Sequence, residues 1–166
     1  MRVLALDVAS KAGWARSEGG EVVASGVVKL RQRTVNKVRQ PRGAKFSQFR
    51  GWLDTQEMQD RAPDVMVIER AAGVFKSAAA GSVIFGLLGI AEAWAFDHRI
   101  PVVYITAQAV KKHATGSGRA DKAAMLEAAR KRWPGVEFAD DNEADARHLA
   151  DCYAAQSAAD AATLGP

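Results

Sequence analysis

Residues 2 to 30 of the chain, RVLALDVASKAGWARSEGGEVVASGVVKL, decide the predicted fold. The first of them, residues 2 to 9, are rich in Val, Leu and Ala, a composition typical of a buried β-strand. A second strand begins near Gly13, and the glycine pair at 19 and 20 favours a tight turn into a third strand over residues 21 to 30. Three strands joined by turns this short predict an antiparallel meander.

Beyond this meander, predicted helices alternate with two short, buried strands. The helices cover residues 44–61, 77–98, 106–113, 120–133 and 140–161, and the strands cover residues 65–69 and 101–105. The segment 31–45 contains Pro41 and Gly43 and lacks periodicity, so it is predicted to be a mobile loop. This order predicts an α/β fold: a mixed five-stranded sheet, with three antiparallel strands followed by two parallel ones, flanked by helices on both faces.

Length and composition are those of one soluble globular domain. The chain has 166 residues, of which 48% are hydrophobic and 25% charged, so we expect a single domain over residues 1–166. Cys152 is its only cysteine, which excludes an intrachain disulfide and fits a reducing compartment. No signal peptide is predicted, and Glu92 within the apolar run 77–96 favours a buried helix over a membrane span. We therefore expect a cytoplasmic protein without a membrane partner.

The positive charge of the chain is concentrated in one segment. The net charge is +4, yet residues 29–50 contain eight basic residues and no acidic one. The eight are Lys29, Arg31, Arg33, Lys37, Arg39, Arg42, Lys45 and Arg50. Such a patch is either a solvated face or a track for the phosphates of a polyanion, and we favour contact with DNA.

Three carboxylates are predicted to meet at one end of the sheet. Asp7 and Glu69 end two strands that should be central and adjacent, and Asp145 begins a helix that can pack across them. Taken singly, Asp7 could cap a turn and Glu69 could pair with the neighbouring Arg70. Together the three would raise one another's pKa unless a cation lies between them. Hard divalent cations such as Mg²⁺ take oxygen ligands, and two such ions can activate a water against a phosphodiester.

Four short motifs follow one another on these elements. They are Leu4-Ala5-Leu6-Asp7-Val8-Ala9-Ser10 followed by Gly13-Trp14; Val67-Ile68-Glu69; Val110-Lys111-Lys112 followed by Gly116-Ser117-Gly118 and Lys122; and Glu143-Ala144-Asp145-Ala146. With these motifs the chain resembles the RuvC family of Holliday-junction resolvases, most closely its phage-type members, within the RNase H-like superfamily. Each motif alone is weakly specific. The four occur in the family's order, and the resemblance covers residues 1–155.

The resemblance implies an activity and residues that carry it. It implies an RNase H-like nuclease domain in which Asp7, Glu69 and Asp145 ligate two Mg²⁺ ions, with Mn²⁺ as a substitute. It also implies that Lys111 or Lys112, together with Lys122, lies near the scissile phosphate, where Lys122 takes part in catalysis. Members of the family cut branched DNA as homodimers and leave 5′-phosphate and 3′-hydroxyl ends. Branched DNA and a second copy of the chain are therefore the expected partners, in a bacterial or phage-infected cell.

One position departs from the family. The family carries an acidic residue or a histidine three positions before the last aspartate, and here that position is Asn142. An amide oxygen can ligate a divalent cation but brings no charge and cannot act as a base. Asp141 lies four residues before Asp145 on the same helical face, so it could take the role after a small shift of the helix start. Asn142 and Asp141 both remain open as metal ligands.

Further DNA contacts are predicted around these motifs. Lys122 opens a helix, so its ammonium and the N-terminal amides could receive a phosphate, with Arg119 beside them. Phe75 and Lys76 form either a wedge that stacks on a base at a branch point or a part of the core. The predicted DNA-binding set comprises Lys111, Lys112, Arg119, Phe75, Lys76, Arg31, Arg33, Lys37, Arg39 and Arg42.

Other polar residues of the last helix have simpler predicted roles. Asp140 and Glu143 match a capping box, and Asp151 is expected to be a solvated helix residue. Cys152 is expected to be a small core residue. His148, one turn after the predicted metal ligand, is predicted to be packed or hydrogen-bonded rather than ligating.

The function hypothesis is a metal-dependent, structure-selective endodeoxyribonuclease that cleaves branched DNA, Holliday junctions in particular, by water attack. Two alternatives stay open. One is a nuclease of the same fold that acts on an RNA–DNA hybrid or on a ribosomal RNA precursor. The other is a non-catalytic DNA-binding relative, an alternative that Asn142 motivates.

Overall fold

The structure is a computed structural model of the 166-residue chain, and it describes residues 1–9, 11–31, 33–40, 42–55, 62–70 and 77–164. For residues 39, 40 and 164 it describes the backbone alone. The predictions for Phe75 and Lys76, for the turn before them and for helix residues 56–61 lie outside the described residues. So does the prediction for the side chain of Arg39.

Seven strands are described, five of them in one sheet. They are β1 (Arg2–Asp7), β2 (Lys11–Glu18), β3 (Glu21–Lys29), β4 (Arg33–Val35), β5 (Val38–Gln40), β6 (Val65–Arg70) and β7 (Val102–Thr106). The central sheet has the order β3-β2-β1-β6-β7. β1 and β3 pair antiparallel with β2, whereas β6 pairs parallel with β1 and with β7. The predicted mixed five-stranded sheet is confirmed.

Helices cover both faces of this sheet, as predicted. They are α1 (Gly43–Leu53), α2 (Ala78–Asp97), α3 (Ala107–Thr115), α4 (Lys122–Arg132) and α5 (Asp141–Leu164). Side chains alternate along β1: Leu4 and Leu6 enter a core completed by α1 and α2, while Val3 and Ala5 enter a second core under α3, α4 and α5. Burial of β1 on both faces accounts for its nearly continuous apolar sequence.

The long helix α2 packs one side against the sheet. Its buried residues are Gly81, Leu87, Leu88, Ala91, Trp94 and Ala95. The indole Nε1 of Trp94 donates to the carboxylate of Asp54 at 3.0 Å, which fixes α2 to the end of α1. By length and composition alone α2 could also cross a membrane. Six of its twenty residues are buried in the core, so the predicted buried helix is found only on the side that faces the sheet, and Phe85 and Phe96 are exposed.

Strands β4 and β5 correct the prediction of a mobile loop over residues 31–45. They pair antiparallel, with Val35 opposite Val38. Asn36 and Lys37 between them have φ values of 50° and 64°, the left-handed conformation that both central residues of a type I′ hairpin turn adopt. Strands of three residues are too short to produce a periodic pattern, which is why the sequence analysis missed them.

Helix α1 ends at Leu53, and neither Asp54 nor Thr55 is helical, so the helix predicted over residues 44–61 is interrupted there. The backbone N–H of Asp54 closes the last turn on the carbonyl of Arg50 at 2.9 Å. The carboxylate of Asp54 receives the Nε of Arg50 at 2.9 Å and the indole of Trp94 at 3.0 Å. The bond to Trp94 joins residues forty apart in the chain, so helical periodicity could not predict it.

Two glycines of α2 provide a test of the α1–α2 contact. A Cβ at Gly86 would lie 2.2 Å from the ring of Phe46 on α1, whereas one at Gly89 would meet nothing within 4 Å. Overpacking costs about 1–3 kcal/mol, and replacing an exposed helical glycine by alanine gains about 1 kcal/mol. We therefore expect urea denaturation to show Gly86→Ala destabilised relative to the matched control Gly89→Ala. Equal stability of the two variants would contradict the contact.

Candidate active site

Asp7 and Glu69 lie side by side at one edge of the sheet. In the parallel pairing of β1 with β6, Leu6 is opposite Ile68, so the next residues of the two strands are neighbours at the carboxyl end. The side chains of residues at matched positions in parallel strands point to the same face. Both carboxyl groups are largely withdrawn from water, and the charge of Glu69 raises the pKa of Asp7. The predicted adjacency is confirmed.

Asp145 reaches this edge because α5 begins very close to β2. Gly13 pairs with Asp7 across β1 and β2. A Cβ at Gly13 would lie 2.0 Å from the backbone oxygen of Asn142 and 2.5 Å from its carbonyl carbon, so only glycine permits the contact. Asp145 follows Asn142 by three residues, about one helical turn, and its charge raises the pKa of both strand carboxyls.

The three carboxyls share one poorly solvated cleft, and their pKa values show it. Burial raises the pKa of Asp7 from 3.8 to about 8, helped by the charges of Glu69 and Asp145. Burial raises the pKa of Glu69 to about 7, helped by Asp145. For Asp145, burial and then the charge of Asp141 raise the pKa to about 6. Each group is therefore ionised at a cost that a cation would relieve.

Two lysines face the same cleft. The charge of Lys122, at the start of α4, lowers the pKa of both Asp7 and Asp145, against the larger effect of burial. The charge of Lys111 on α3 acts in the same direction on Glu69 and Asp145. Of the predicted lysines, 111 and 122 therefore act on the carboxylates. Lys112 lies on α3 and Arg119 in the turn after it, and the side chains of both are exposed to solvent.

The side chains of this cleft fit a hard divalent cation in chemistry. Three carboxylates offer oxygen donors only, which suits Mg²⁺ or Mn²⁺. Among the residues that the structure describes, however, no three Asp, Glu, His or Cys side chains already surround a common point as ligands of one ion.

The structure separates the two candidates for the fourth acidic position. The carboxylate of Asp141 pairs with the ammonium of Lys122, and its charge raises the pKa of Asp7 and Asp145. Asn142 instead uses its backbone: its carbonyl packs on Gly13, and its N–H donates to the carboxylate of Asp140 at 3.0 Å. Asp141 is therefore close enough to the site for its charge to act on Asp7 and Asp145. Its role as a ligand, like that of Asn142, stays a prediction.

A buried hydrogen-bond network holds the first turns of α5 against the edge strand β3. Asp140 caps the helix by accepting from the N–H groups of Asn142 and Glu143, as the capping box predicted. Glu143 departs from that motif, because it accepts from the N–H of Ala139 at 2.8 Å and from the hydroxyl of Ser25. The Nε of Arg147 donates to the same hydroxyl at 2.6 Å. Sequence reasoning missed Ser25 and Arg147, since no short-range pattern links residues so distant in the chain.

Two aromatic rings pack near the guanidinium of Arg147. Its guanidinium carbon lies 5.4 Å from the ring centre of Trp133 and 5.9 Å from that of Phe138, within the range of cation–π attraction. Burial lowers the pKa of Arg147. This network positions Asp145, which lies between Glu143 and Arg147 on the helix.

Three further predictions for α5 can be compared with the structure. His148 is buried and donates from Nε2 to the carbonyl of Met125 at 3.0 Å, so its predicted structural role is confirmed. Cys152 is a buried core residue, as predicted. Asp151, predicted to be solvated, is instead mostly covered, and its carboxylate binds His113 at 2.9 Å and Arg132 at 3.0 Å. The prediction for Asp151 was wrong because α3 and α4 pack beside it.

Most of the predicted DNA-contact side chains that the structure describes are exposed, whereas Lys111 is half-buried. Arg31, Arg33, Lys37, Arg42, Lys112 and Arg119 all present their side chains to solvent. Gly116, predicted in a helix connection, ends α3 with φ 80°, a left-handed cap that favours glycine.

Comparisons with known proteins support the fold. No protein-family model matches the chain, and no curated protein matches it significantly. The structure of Thermus thermophilus RuvC in complex with a Holliday junction substrate has a TM-score of 0.73 and 18% identity, covering 95% of this chain and 94% of that one. A second structure of Thermus thermophilus RuvC has a TM-score of 0.73 and 17% identity, covering 96% and 97%. The yeast mitochondrial Holliday junction resolvase Ydc2 has a TM-score of 0.64 and 12% identity, covering 95% and 79%.

These likenesses establish the architecture of the chain. It has the RNase H-like fold of RuvC-type Holliday-junction resolvases, and the predicted resemblance is confirmed at the level of fold. At identities of 18% and below, they establish nothing further about substrate or activity.

The raised pKa of Asp7 predicts how stability depends on pH. The folded state holds this proton more tightly than the unfolded state, so the free energy of unfolding falls as pH rises from the ordinary value of 3.8 towards about 8. We expect metal-free urea denaturation to show this fall, and to show a smaller one in Asp7→Asn. The lowered pKa of His148 acts in the opposite direction, but it is common to both proteins and cancels in their difference.

The exposed Asp160→Asn variant serves as the control and should follow the unmodified protein at every pH. Parallel pH profiles for the unmodified protein and Asp7→Asn would contradict the raised pKa of Asp7.

Proposed function

We propose that this protein is a metal-dependent endonuclease that cleaves branched DNA, Holliday junctions in particular. The observation that carries the proposal is the convergence of Asp7, Glu69 and Asp145, each with a raised pKa, at the carboxyl edge of the sheet. Buried carboxylates that repel one another destabilise a fold, and their convergence is typical of a functional site. The comparisons add that this fold occurs in proteins described as Holliday junction resolvases.

In this proposal the acidic residues of the cleft bind metal, and the basic residues interact with the phosphate. Asp7, Glu69 and Asp145 would be the carboxylate ligands of the metal. Mg²⁺, with Mn²⁺ as a substitute and two ions per site, would supply activation of the attacking water and stabilisation of the leaving oxygen. Lys122 and Lys111 offset the negative charge of the phosphate at the mouth of the cleft. The expected products carry 5′-phosphate and 3′-hydroxyl ends.

A four-way junction has two strands to be cut, so we further propose that the protein acts as a homodimer. The support for it is α2, a largely apolar helix on which the ring of Phe96 is 84% exposed. Exposed aromatic side chains on an apolar helix favour a protein partner, and a second copy would supply the second cleft.

Substitution of Asp7 tests the catalytic proposal. Asp7→Asn removes a carboxylate charge from the cleft and keeps the size of the side chain, so we expect cleavage of a synthetic four-way junction in Mg²⁺ or Mn²⁺ to fall by at least about 100-fold. Binding of the junction in EDTA, measured by gel shift, should remain. Asp160→Asn, an exposed carboxylate on the same helix as Asp145, is the control and should cut normally.

The choice of substrates in the same assay separates the proposal from its alternatives. A linear duplex, an RNA–DNA hybrid and a structured ribosomal RNA are offered beside the junction. Preferential cutting of the hybrid or the RNA would replace the proposed substrate. Full cleavage by Asp7→Asn would overturn the proposed mechanism, and absence of cleavage in Mn²⁺ would favour a non-catalytic DNA-binding protein.

Metal binding is tested separately from cleavage. We expect calorimetric titration with Mn²⁺ to show carboxylate-dependent binding that strengthens between about pH 6 and pH 8, because ions and protons compete for the same oxygens. Asp145→Asn should weaken this binding by at least about tenfold. Asp141→Asn and Asn142→Ala form a matched pair, and the variant with the larger loss identifies the fourth ligand. Unchanged binding in Asp145→Asn would contradict the proposed metal site.

A further inference from the structure

The β4–β5 hairpin carries an exposed apolar pair at its tip. Val35 and Val38 are 56% and 60% exposed, and they are direct cross-strand partners on either side of the Asn36–Lys37 turn. Side chains of directly opposed residues project from the same face of a hairpin. The two valines therefore form one small apolar surface next to the turn.

This apolar surface contributes to neither core of the protein. Every described side chain from Arg33 to Val38 is exposed, and the hairpin forms a two-stranded sheet of its own. A two-stranded hairpin in water is marginally stable by itself, and polar β-formers such as threonine would serve its strands equally well. A single exposed valine is ordinary, but an adjacent pair at the tip of an isolated hairpin favours contact with another molecule.

The hairpin leaves the sheet at the edge that holds the carboxylates. Lys29, the last residue of β3, pairs with Lys11 at the start of β2, and Gly13 two residues further along β2 pairs with Asp7. The base of the hairpin is fixed to α1, because the N–H of Arg31 donates to Gln48 at 3.1 Å and Gln48 donates back to the carbonyl of Arg31 at 2.7 Å. The tip is thereby attached to the same side of the molecule as the cleft.

The charges around the hairpin select a polyanion as the occupant. Arg31, Arg33, Lys37 and Arg42 are exposed, and residues 22 to 53 contain no acidic side chain. Arginine and lysine neutralise phosphates, whereas an apolar tip needs an apolar surface. In nucleic acid that surface is the face of a base pair, which is covered in a continuous duplex and accessible where stacking is interrupted.

We propose that the tip of the β4–β5 hairpin, with Val35 and Val38, packs against the terminal base pair at a DNA branch point and gives the protein its preference for branched over linear DNA. The branch point as partner rests on the proposed function. The basic side chains of the hairpin bind the flanking phosphates. The valines contact the face of the base pair that is exposed where stacking is interrupted. The hairpin is thus a specificity element that is separate from the carboxylate cleft.

The test uses the full chain with Asp7→Asn, so that the DNA stays intact, and a synthetic four-way junction with 2-aminopurine beside the branch point. The double variant V35T/V38T keeps the β-branched shape and removes the apolar surface. Val23→Thr is the matched control. Val23 is 54% exposed, but it lies near the start of β3, at the end of the strand away from the hairpin and the carboxylates. R33Q/K37Q removes two charges and leaves the valines in place.

The proposal predicts a different outcome for each variant. Binding of the protein should increase 2-aminopurine fluorescence, and V35T/V38T should lose most of this increase. The same variant should lose about tenfold of the preference for junction over linear duplex, with the salt dependence of binding unchanged. R33Q/K37Q should weaken binding to both DNAs and reduce the slope of log affinity against log salt by about 2. Val23→Thr should behave as the parent protein.

Two results would overturn the proposal. One is an unchanged fluorescence increase and junction preference in V35T/V38T, which would show that the hairpin contacts phosphates alone. The other is a parent protein that binds junction and linear duplex equally. Cleavage, measured with Asp7 restored, is an independent outcome: a protein that unstacks the branch without cutting it contradicts the proposed nuclease and leaves the hairpin proposal standing.

Discussion

The site depends on the close passage of α5 over Gly13. The backbone carbonyl of Asn142 occupies the volume that any side chain at Gly13 would need, and Gly13 is itself paired with Asp7. One absent Cβ therefore sets the distance between the helix that carries Asp145 and the strand that carries Asp7. The fold places Asp7 and Glu69 together through strand pairing alone, whereas the third carboxylate needs this contact. A larger residue at position 13 would separate the carboxylates while leaving the sheet intact.

Bringing the carboxylates together destabilises the fold, and other parts of the chain offset that cost. Burial and mutual repulsion raise the pKa of all three groups. The positive charges of Lys122 and Lys111 reduce the repulsion between the carboxylates. Where α5 packs on β3, Glu143 and Arg147 both form hydrogen bonds with the hydroxyl of Ser25. These groups hold the first turns of α5 against β3.

Elements with strong local signals could be predicted from the sequence. The apolar strands, the turn glycines and the long helices predicted the sheet, and the positions of Asp7, Glu69 and Asp145 on those elements predicted the candidate site. What could not be predicted depends on long-range contacts or on very short elements. The β4–β5 hairpin has three residues per strand, and Asp54 ends α1 by binding Trp94 forty residues later. Asp151 and Ser25 likewise acquire their roles from helices and strands that pack beside them only in the folded chain.

On the side of α5 away from Ser25, Asp151 binds His113 of α3 and Arg132 of α4, and His148 binds the carbonyl of Met125 in α4. The three helices are consequently joined to one another as well as to the sheet. Lys111, Lys122 and Asp145 belong to these three helices, whereas Asp7 and Glu69 belong to strands. The cleft thus lies where a layer of helices meets the sheet, and its geometry depends on how these three helices pack on the strands.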